Sequence, residues 1–412
     1  MPFPLPLETL VGKPLMYLLF AVIGFGFGFV LEISGFGNSK KLAAQFYFKE
    51  MTVLKVMFTA IVVAMVLIFT MVGLGVLDFN QVWVNPTYLW PGIVGGLIMG
   101  VGFVIGGFCP GTSLVAAATF KLDGVFFVLG GLVGIFLFGE TVVFYEEWWN
   151  SSYFGRLTIM DWLDLPTGVV VIGIVLMALF MFWGGEQLER KFGAVDQSKA
   201  PSLRLAGAGV LLAGAVGVLL LGQPTTEEKW TKVAPVKEVE LVDRAVQIHP
   251  GELLTMLGDN AVRIVMLDVR PENEFNLFHL RNAQNVQLDE LPALIPELHA
   301  KQALNTVFVT ISNDEAIATE AWKVLTAESI PNAYILEGGI NNWLTTFGHD
   351  DAAIQPTATP AADVGDTLDF TFFAAMGDRY LAADPNPHEW ELEYTPKIKL
   401  EMKRDKSGGG CG

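Results

Sequence analysis

Six apolar runs constrain this chain more than anything else in it: roughly residues 15–33, 53–77, 88–108, 124–144, 165–185 and 203–222. A helix needs about 20 apolar residues to cross the hydrocarbon layer of a bilayer, and each run reaches about that length. Composition agrees, since the 412 residues are 52% hydrophobic with a mean hydropathy of +0.46. The net charge is nevertheless −17 and unevenly spread: residues 1–222 hold 11 Lys+Arg against 13 Asp+Glu, and residues 223–412 hold 15 against 30. The chain therefore reads as a polytopic α-helical membrane domain followed by an acidic soluble region. That acidity argues against nucleic acid as a partner. Only Lys13 precedes the first run and no small-residue cleavage site follows it, so the run reads as a retained helix rather than a signal peptide.

If all six runs cross, the connections at 34–52, 109–123 and 186–202 share one side and carry Lys40, Lys41, Lys49, Lys121, Arg190, Lys191 and Lys199. The other side has only Lys13 and Arg156 before the soluble region begins. Basic loops stay in the cytoplasm. The expectation is a multi-pass protein of the inner (plasma) membrane with both termini, and the soluble region, on the extracytoplasmic side.

The membrane part repeats itself at an offset of 72 residues, over about 15–77 and 88–144. Gly24 meets Gly96, Gly28 meets Gly100, Ile33 meets Ile105, and Gly35-Phe36 meets Gly107-Phe108. Leu42, Ala44 and Phe48-Lys49 then meet Leu114, Ala116 and Phe120-Lys121. Each unit reads as a long helix, a break at "GFGNS" or "GFCPG", a short helix and a second long helix. Duplicated units with helices broken at equivalent places point to a transport site between the repeats. Irregular backbone in the hydrocarbon layer must be buried in protein or line a wet cavity.

The second break places Cys109 among Gly107, Phe108, Pro110 and Gly111. Pro110 suits the first position of a helix, which makes Cys109 its N-cap and sets the thiol beside free N–H groups and positive potential. An alternative reading makes these glycines, with Gly35 and Gly37, simple close-packing positions and Cys109 a small buried hydrophobe. The "GFGFGF" run from Gly24 lies inside an apolar span with no preceding strand, so it is not a dinucleotide fingerprint. Glu32 and Glu140 fall near helix ends, where they either couple to transport or reach towards the interface.

The stretches "GFGFVLEISGFGNS" and "MGVGFVIGGFCPGTSLVAAATFKLDG" resemble the YeeE/YedE family of membrane proteins over about residues 15–145. The resemblance implies uptake of thiosulfate or a related sulfur compound, with cysteines on loops that dip towards the membrane centre. Cys109 occupies the cysteine position of the second repeat. The matching place in the first repeat is Gly37, where family members often carry another cysteine. Thiosulfate is a dianion with a soft terminal sulfur, and a neutral thiol offers it an S–H donor without a buried charge.

Residues 248–350 alternate β-branched runs, "RIVMLDVR", "TVFVTIS" and "AYILEGG", with amphipathic stretches such as "DEAIATEAWKVLTAES". That alternation predicts a soluble α/β domain with a parallel sheet. "LDVRPENEFNLFHLRNAQNV" and "LEGGINNW" resemble the rhodanese signature. In a working rhodanese a cysteine follows the strand read here as "TVFVTIS", on a loop whose N–H groups face its persulfide. Here Ser312 holds that place, with Asp314 and Glu315 just after it. A serine cannot form a persulfide, so the expectation is a rhodanese-like domain without sulfurtransferase activity, in which Asp268 and Arg270 form a structural pair.

Residues 223–247 and 351–369 read as linkers, and 370–412 as an extension in which "TPKIKLEMK" alternates like an edge strand. The chain ends "RDKSGGGCG", a flexible tether reaching roughly 15–20 Å. It resembles the "GGCGG"-type arm of the sulfur carrier protein of the Sox system, which makes Cys411 a sulfur-carrier candidate. Its alternative is a glycine-rich expression scar. Two functions follow from different classes. One is a transporter or channel for thiosulfate or a similar sulfur anion, with Cys109 at the constriction; a small sulfurtransferase or sulfur carrier protein is its natural partner. The other is a membrane-anchored persulfide carrier centred on Cys411. No metal or cofactor is expected for either.

Overall fold

The computed structural model describes residues 3–5, 7–193, 203–301, 305–357 and 365–400. The chain divides into two compact units, residues 2–223 and residues 224 onward.

The first unit is helical: α1 (Leu7–Ile33), α2 (Ser39–Ala43), α3 (Thr52–Gly73), α4 (Leu89–Gly106), α5 (Pro110–Ala118), α6 (Leu122–Thr141), α7 (Glu146–Trp149), α8 (Ile159–Leu163), α9 (Thr167–Leu188) and α10 (Leu203–Leu221). Six spans among them are long and apolar enough to cross a membrane, as the sequence predicts. The duplication is visible in the backbone itself. Gly35 and Gly107, 72 residues apart, both take the left-handed conformation, with φ of 78° and 72°. Only glycine adopts it without strain, so both long helices stop there. Phe48 and Phe120 keep the same offset and also share a positive φ, 55° and 57°. Their turns repeat bond for bond: Lys49 N–H donates to Ala44 O at 3.1 Å, and Lys121 N–H donates to Ala116 O at 3.0 Å. The chain thus reverses after each short helical segment, not at the break. α5 lies against the start of α6, where Gly124 leaves no room for a side chain beside Ala116 and Ala117.

The second long helix of the first repeat, α3, packs with α9 and α10 through Val62, Val66, Phe69, Val171, Val175, Ala215 and Val218. Glu189, buried past the end of α9, accepts from the backbone N–H of Met51 at 2.5 Å and from Lys55 Nζ at 2.6 Å. A carboxylate at the N-terminal end of α3 meets the positive end of its dipole.

In the second unit, α11 (Thr226–Val242) precedes β1 (Gln247–Ile248), α12 (Pro250–Leu257), β2 (Arg263–Asp268), α13 (Glu272–Leu277) and β3 (Gln284–Asn285). Next come α14 (Leu291–Lys301), β4 (Thr306–Ile311), α15 (Ala316–Ala327), β5 (Ala333–Leu336), α16 (Gly339–Phe347), β6 (Ile354–Pro356) and β7 (Phe370–Phe372). β1–β5 form one parallel sheet in the order β1-β5-β4-β2-β3. Every residue of the central strand β4 is buried. Val307, Val309 and Ile311 enter one core and Phe308 the other, the period of two that a doubly covered strand requires. The α/β fold with a parallel sheet is as the sequence predicts.

Two segments read as linkers carry structure. Within 223–247, α11 begins with a capping box (Thr225 with Glu228), sets Trp230 edge-on to Trp322 at 6.0 Å, and pairs Lys229 with Glu328 at 2.6 Å. Its polar composition hid a helix whose one tryptophan packs on the domain. Within 351–369, β6 pairs antiparallel with β7, and Asp366 turns back onto the domain. The alternating segment "TPKIKL" is not a strand: the Lys397 and Ile398 N–H groups donate to Glu252 Oε1 at 2.8 and 2.7 Å, a side-chain acceptor replacing a sheet partner. The aromatic extension packs as its composition suggests, with Phe372 and Tyr380 against Phe278 and with Trp343 Nε1–H donating to Ala382 O at 2.7 Å.

Asp268 and Arg270 are both fully buried and joined by two short bonds, Nη2 to Oδ2 at 2.7 Å and Nε to Oδ1 at 2.9 Å. Arg270 also donates to Phe278 O at 2.7 Å, so the pair ties β2 to the end of α13. Removing one member leaves the other charge buried alone, which costs about 3–5 kcal/mol. Arg270→Ala should therefore lower the melting temperature of the second unit in thermal unfolding of the full chain. Wild-type stability would contradict the structural role.

Candidate functional site

The two helix breaks meet. A side chain at Gly107 would run into Ser39, 2.9 Å from its carbonyl oxygen, so the second break presses directly on the start of α2 in the first repeat. Ser39 Oγ donates to Asp123 Oδ2 at 2.6 Å, joining α2 to the start of α6. Phe36 and Phe108, equivalent by the repeat, are both buried in one apolar cluster with Leu42, Val53 and Ala116. Phe127 closes on Phe108 edge-on, with ring centroids 5.8 Å apart.

Cys109 is the N-cap of α5 and Pro110 its first residue. Gly111 and Thr112 follow, and Thr112 completes a capping box. Its N–H donates to Cys109 Sγ at 3.5 Å, while its hydroxyl accepts from Cys109 N–H at 3.0 Å. Thr112 and Ser113 are buried whereas Cys109 is half-buried. The sulfur is thus held as an acceptor at the positive end of a helix, with part of its surface open. Thr112 was overlooked in the sequence. Its signal was the spacing, a cap residue followed three positions later by a side chain that can bond back.

In the first repeat the short helix begins one residue later, with Asn38 as N-cap accepting from Lys40 N–H at 3.0 Å. Gly37 is buried and its space is already taken: a Cβ there would collide with Glu32 Oε2 and lie 2.8 Å from Lys121 Nζ. Glu32 Oε1 and Lys121 Nζ form an ion pair at 2.9 Å that joins the two repeats. Lys41 Nζ donates to Ser34 O at 2.9 Å, neutralising a carbonyl at the negative end of α1. Lys121, Ser39 and Asp123 were not singled out in the sequence, because no spacing rule joins residues that meet across a repeat interface. Glu140 lies exposed near the end of α6, apart from this cluster.

In the second unit, Ser312 follows β4 and is fully buried, its hydroxyl without a hydrogen-bond partner among the described residues. The loop beyond it is saturated with carboxylates. Asp366 accepts from the N–H groups of Asn313 at 2.6 Å, Asp314 at 3.2 Å and Ile317 at 3.0 Å. Asp314 Oδ1 accepts from those of Glu315 and Ala316. Every backbone N–H from 313 to 317 therefore points at a carboxylate of the chain itself. Glu315 in turn accepts from Gly338 N–H at 2.7 Å and pairs with Arg244 at 2.7 Å, a bond that holds the Arg244 guanidinium above its ordinary pKa. Asp366 was missed because it lies in sequence read as linker. Cys411 falls outside the described residues.

Comparison with known families matches residues 34–246 to Sulphur transport and residues 249–346 to the Rhodanese-like domain. No curated protein and no solved structure matches the chain. The first match covers just over half of the chain, including both helix breaks and five of the six spans; the first span ends just before it. This protein belongs to the Sulphur transport family, that of the YeeE/YedE membrane proteins, and carries a rhodanese-like domain at its C-terminal side.

Proposed function

We propose that this protein carries thiosulfate, or a closely related small inorganic sulfur species, across the membrane, with Cys109 at the narrowest point of the path. The observation that carries this reading is the half-open thiol at the N-terminus of α5, inside a helix break that presses on the matching break of the other repeat. A soft sulfur donor beside free helix potential suits an anion with a soft terminal sulfur. Gly107, Phe108, Pro110 and Gly111 shape this half of the path, and Gly35 and Gly37 the other. The basic loops favour an inner-membrane orientation with the soluble domain outside the cytoplasm.

The rhodanese-like domain has no sulfurtransferase activity in this reading. It lacks a nucleophilic sulfur at Ser312, and the loop N–H groups that would hold an anion already hold Asp366 and Asp314. Its role is docking, with a small sulfurtransferase or carrier as the receiving partner, and Cys411 on its tether serves as a capture arm. The competing function, a persulfide carrier centred on Cys411, makes the opposite demand on the two cysteines.

Because Cys109 also caps α5, its replacement by alanine mixes two losses, the thiol and a cap worth about 1 kcal/mol. Serine keeps the cap and removes only the sulfur. Cys109→Ser should therefore retain wild-type thermal stability yet lower uptake of thiosulfate labelled in its outer sulfur by about tenfold or more. Wild-type uptake by Cys109→Ser, with loss of function in Cys411→Ser, would favour the carrier instead. In the soluble domain, Ser312→Cys should give no sulfur transfer from thiosulfate to cyanide, since the carboxylates remain. Turnover after that single substitution would contradict the assignment.

A further inference from the structure

The repeat makes residues 37 and 109 equivalent, and it makes residues 32 and 104 equivalent as well. Where the second repeat has a thiol, Cys109, and an apolar residue, Val104, the first has no side chain, Gly37, and a carboxylate, Glu32. The two differences are one exchange in space, because the volume a residue-37 side chain would fill is held by Glu32 Oε2 and Lys121 Nζ. A side chain at 37 would require the Glu32 and Lys121 head groups to move from the positions they hold.

Three further features mark the pair as more than a brace. Its two side chains keep 38% and 39% of their surface open although they sit at a helix break, so the pair is not sealed inside the protein. Glu32 Oε2 is buried with no hydrogen-bond partner among the described residues, so one oxygen of the carboxylate stays available to a donor. Lys41, the neighbouring cation of the first break, is already bonded to Ser34 O, which leaves Lys121 as the ammonium facing residue 37. An ionisable residue within a transmembrane span is functional by default, and Glu32 lies in the last turn of the Leu10–Ile33 span.

We propose that the Glu32–Lys121 pair is the first-repeat half of the transport site: Lys121 is the cation the sulfur anion meets in place of a second thiol, and Glu32 is its counter-ion when the site is empty. The assignment rests on the transport reading above. On anion entry the Lys121 ammonium exchanges the carboxylate for the substrate, a trade of one charge-assisted bond for another with no bond made or broken covalently. Glu32 lowers affinity by competing for Lys121, and so speeds release. The selectivity expected is for anionic sulfur species over neutral ones such as hydrogen sulfide.

The test is the kinetics of labelled thiosulfate uptake into proteoliposomes carrying the full chain as wild type, Lys121→Met or Glu32→Gln, with thermal unfolding of each. Lys121→Met should raise KM by about tenfold or more, as loss of a bond to a charged group does. Glu32→Gln should move KM the other way, to a lower value, with a lower maximal rate. Both substitutions break the same ion pair, so a purely structural pair predicts shifts in one direction. KM shifts of the same sign, or none in either variant, would overturn the assignment while leaving transport by the wild type in place. Should Lys121→Met unfold early, the fall in KM for Glu32→Gln carries the test alone, and an unchanged or raised KM there would overturn it. Absence of uptake by wild type would instead overturn the transport reading, and this assignment with it.

Discussion

Every backbone N–H and C=O that leaves a helix inside a bilayer must find a partner within the protein, and the membrane unit is organised around that requirement. Two long helices end at Gly35 and Gly107, and each exposes groups that need satisfying. Phe36 N–H reaches back to Leu31 O at 3.0 Å, and Lys41 covers Ser34 O. On the other side of each break the short helices are capped by side chains, Asn38 in one repeat and Cys109 in the other. The cost of the breaks is thus met by residues that also create a polar interior. Cys109 is the clearest example of such a cap, its sulfur accepting the Thr112 N–H.

The same principle operates in the soluble domain with the opposite result. A loop of convergent N–H groups at the start of α15 demands negative charge, and the chain supplies it from Asp366 and Asp314. The anion site of a rhodanese-like loop has become an internal fastening that ties the segment around 366 to the parallel sheet. The buried Asp268–Arg270 pair holds the neighbouring strand end, and Arg270 Nη1 reaches Asn313 Oδ1 at 3.4 Å. Charge at this loop holds the shape of the domain.

What could be read from the sequence followed from periodic signals. Apolar run length marked the six spans, strand and helix alternation marked the parallel sheet, and the offset of 72 residues marked the repeat. Pro110 announced the helix that Cys109 caps, because proline's missing N–H suits only a first turn. Contacts across elements left no such trace. Lys121 belongs to a repeated motif, yet its partner Glu32 is 89 positions away and its equivalent, Lys49, has Val104 at the corresponding place. Asp366 is one acid in a Pro/Ala/Thr-rich stretch, and only the fold brings it to the loop after β4. The helix α11 and the bonds of Lys397 and Ile398 were hidden for a related reason: polar or alternating sequence takes the conformation its neighbours can satisfy.

With two cysteines in the chain, Cys411→Ser leaves Cys109 as the one thiol, so its accessibility can be measured without ambiguity. The decisive measurement is the rate at which a small charged methanethiosulfonate labels Cys109 in that variant, with and without thiosulfate, alongside uptake after labelling. A thiol on the transport path predicts labelling that thiosulfate slows and that abolishes uptake. Complete labelling with uptake intact would contradict it.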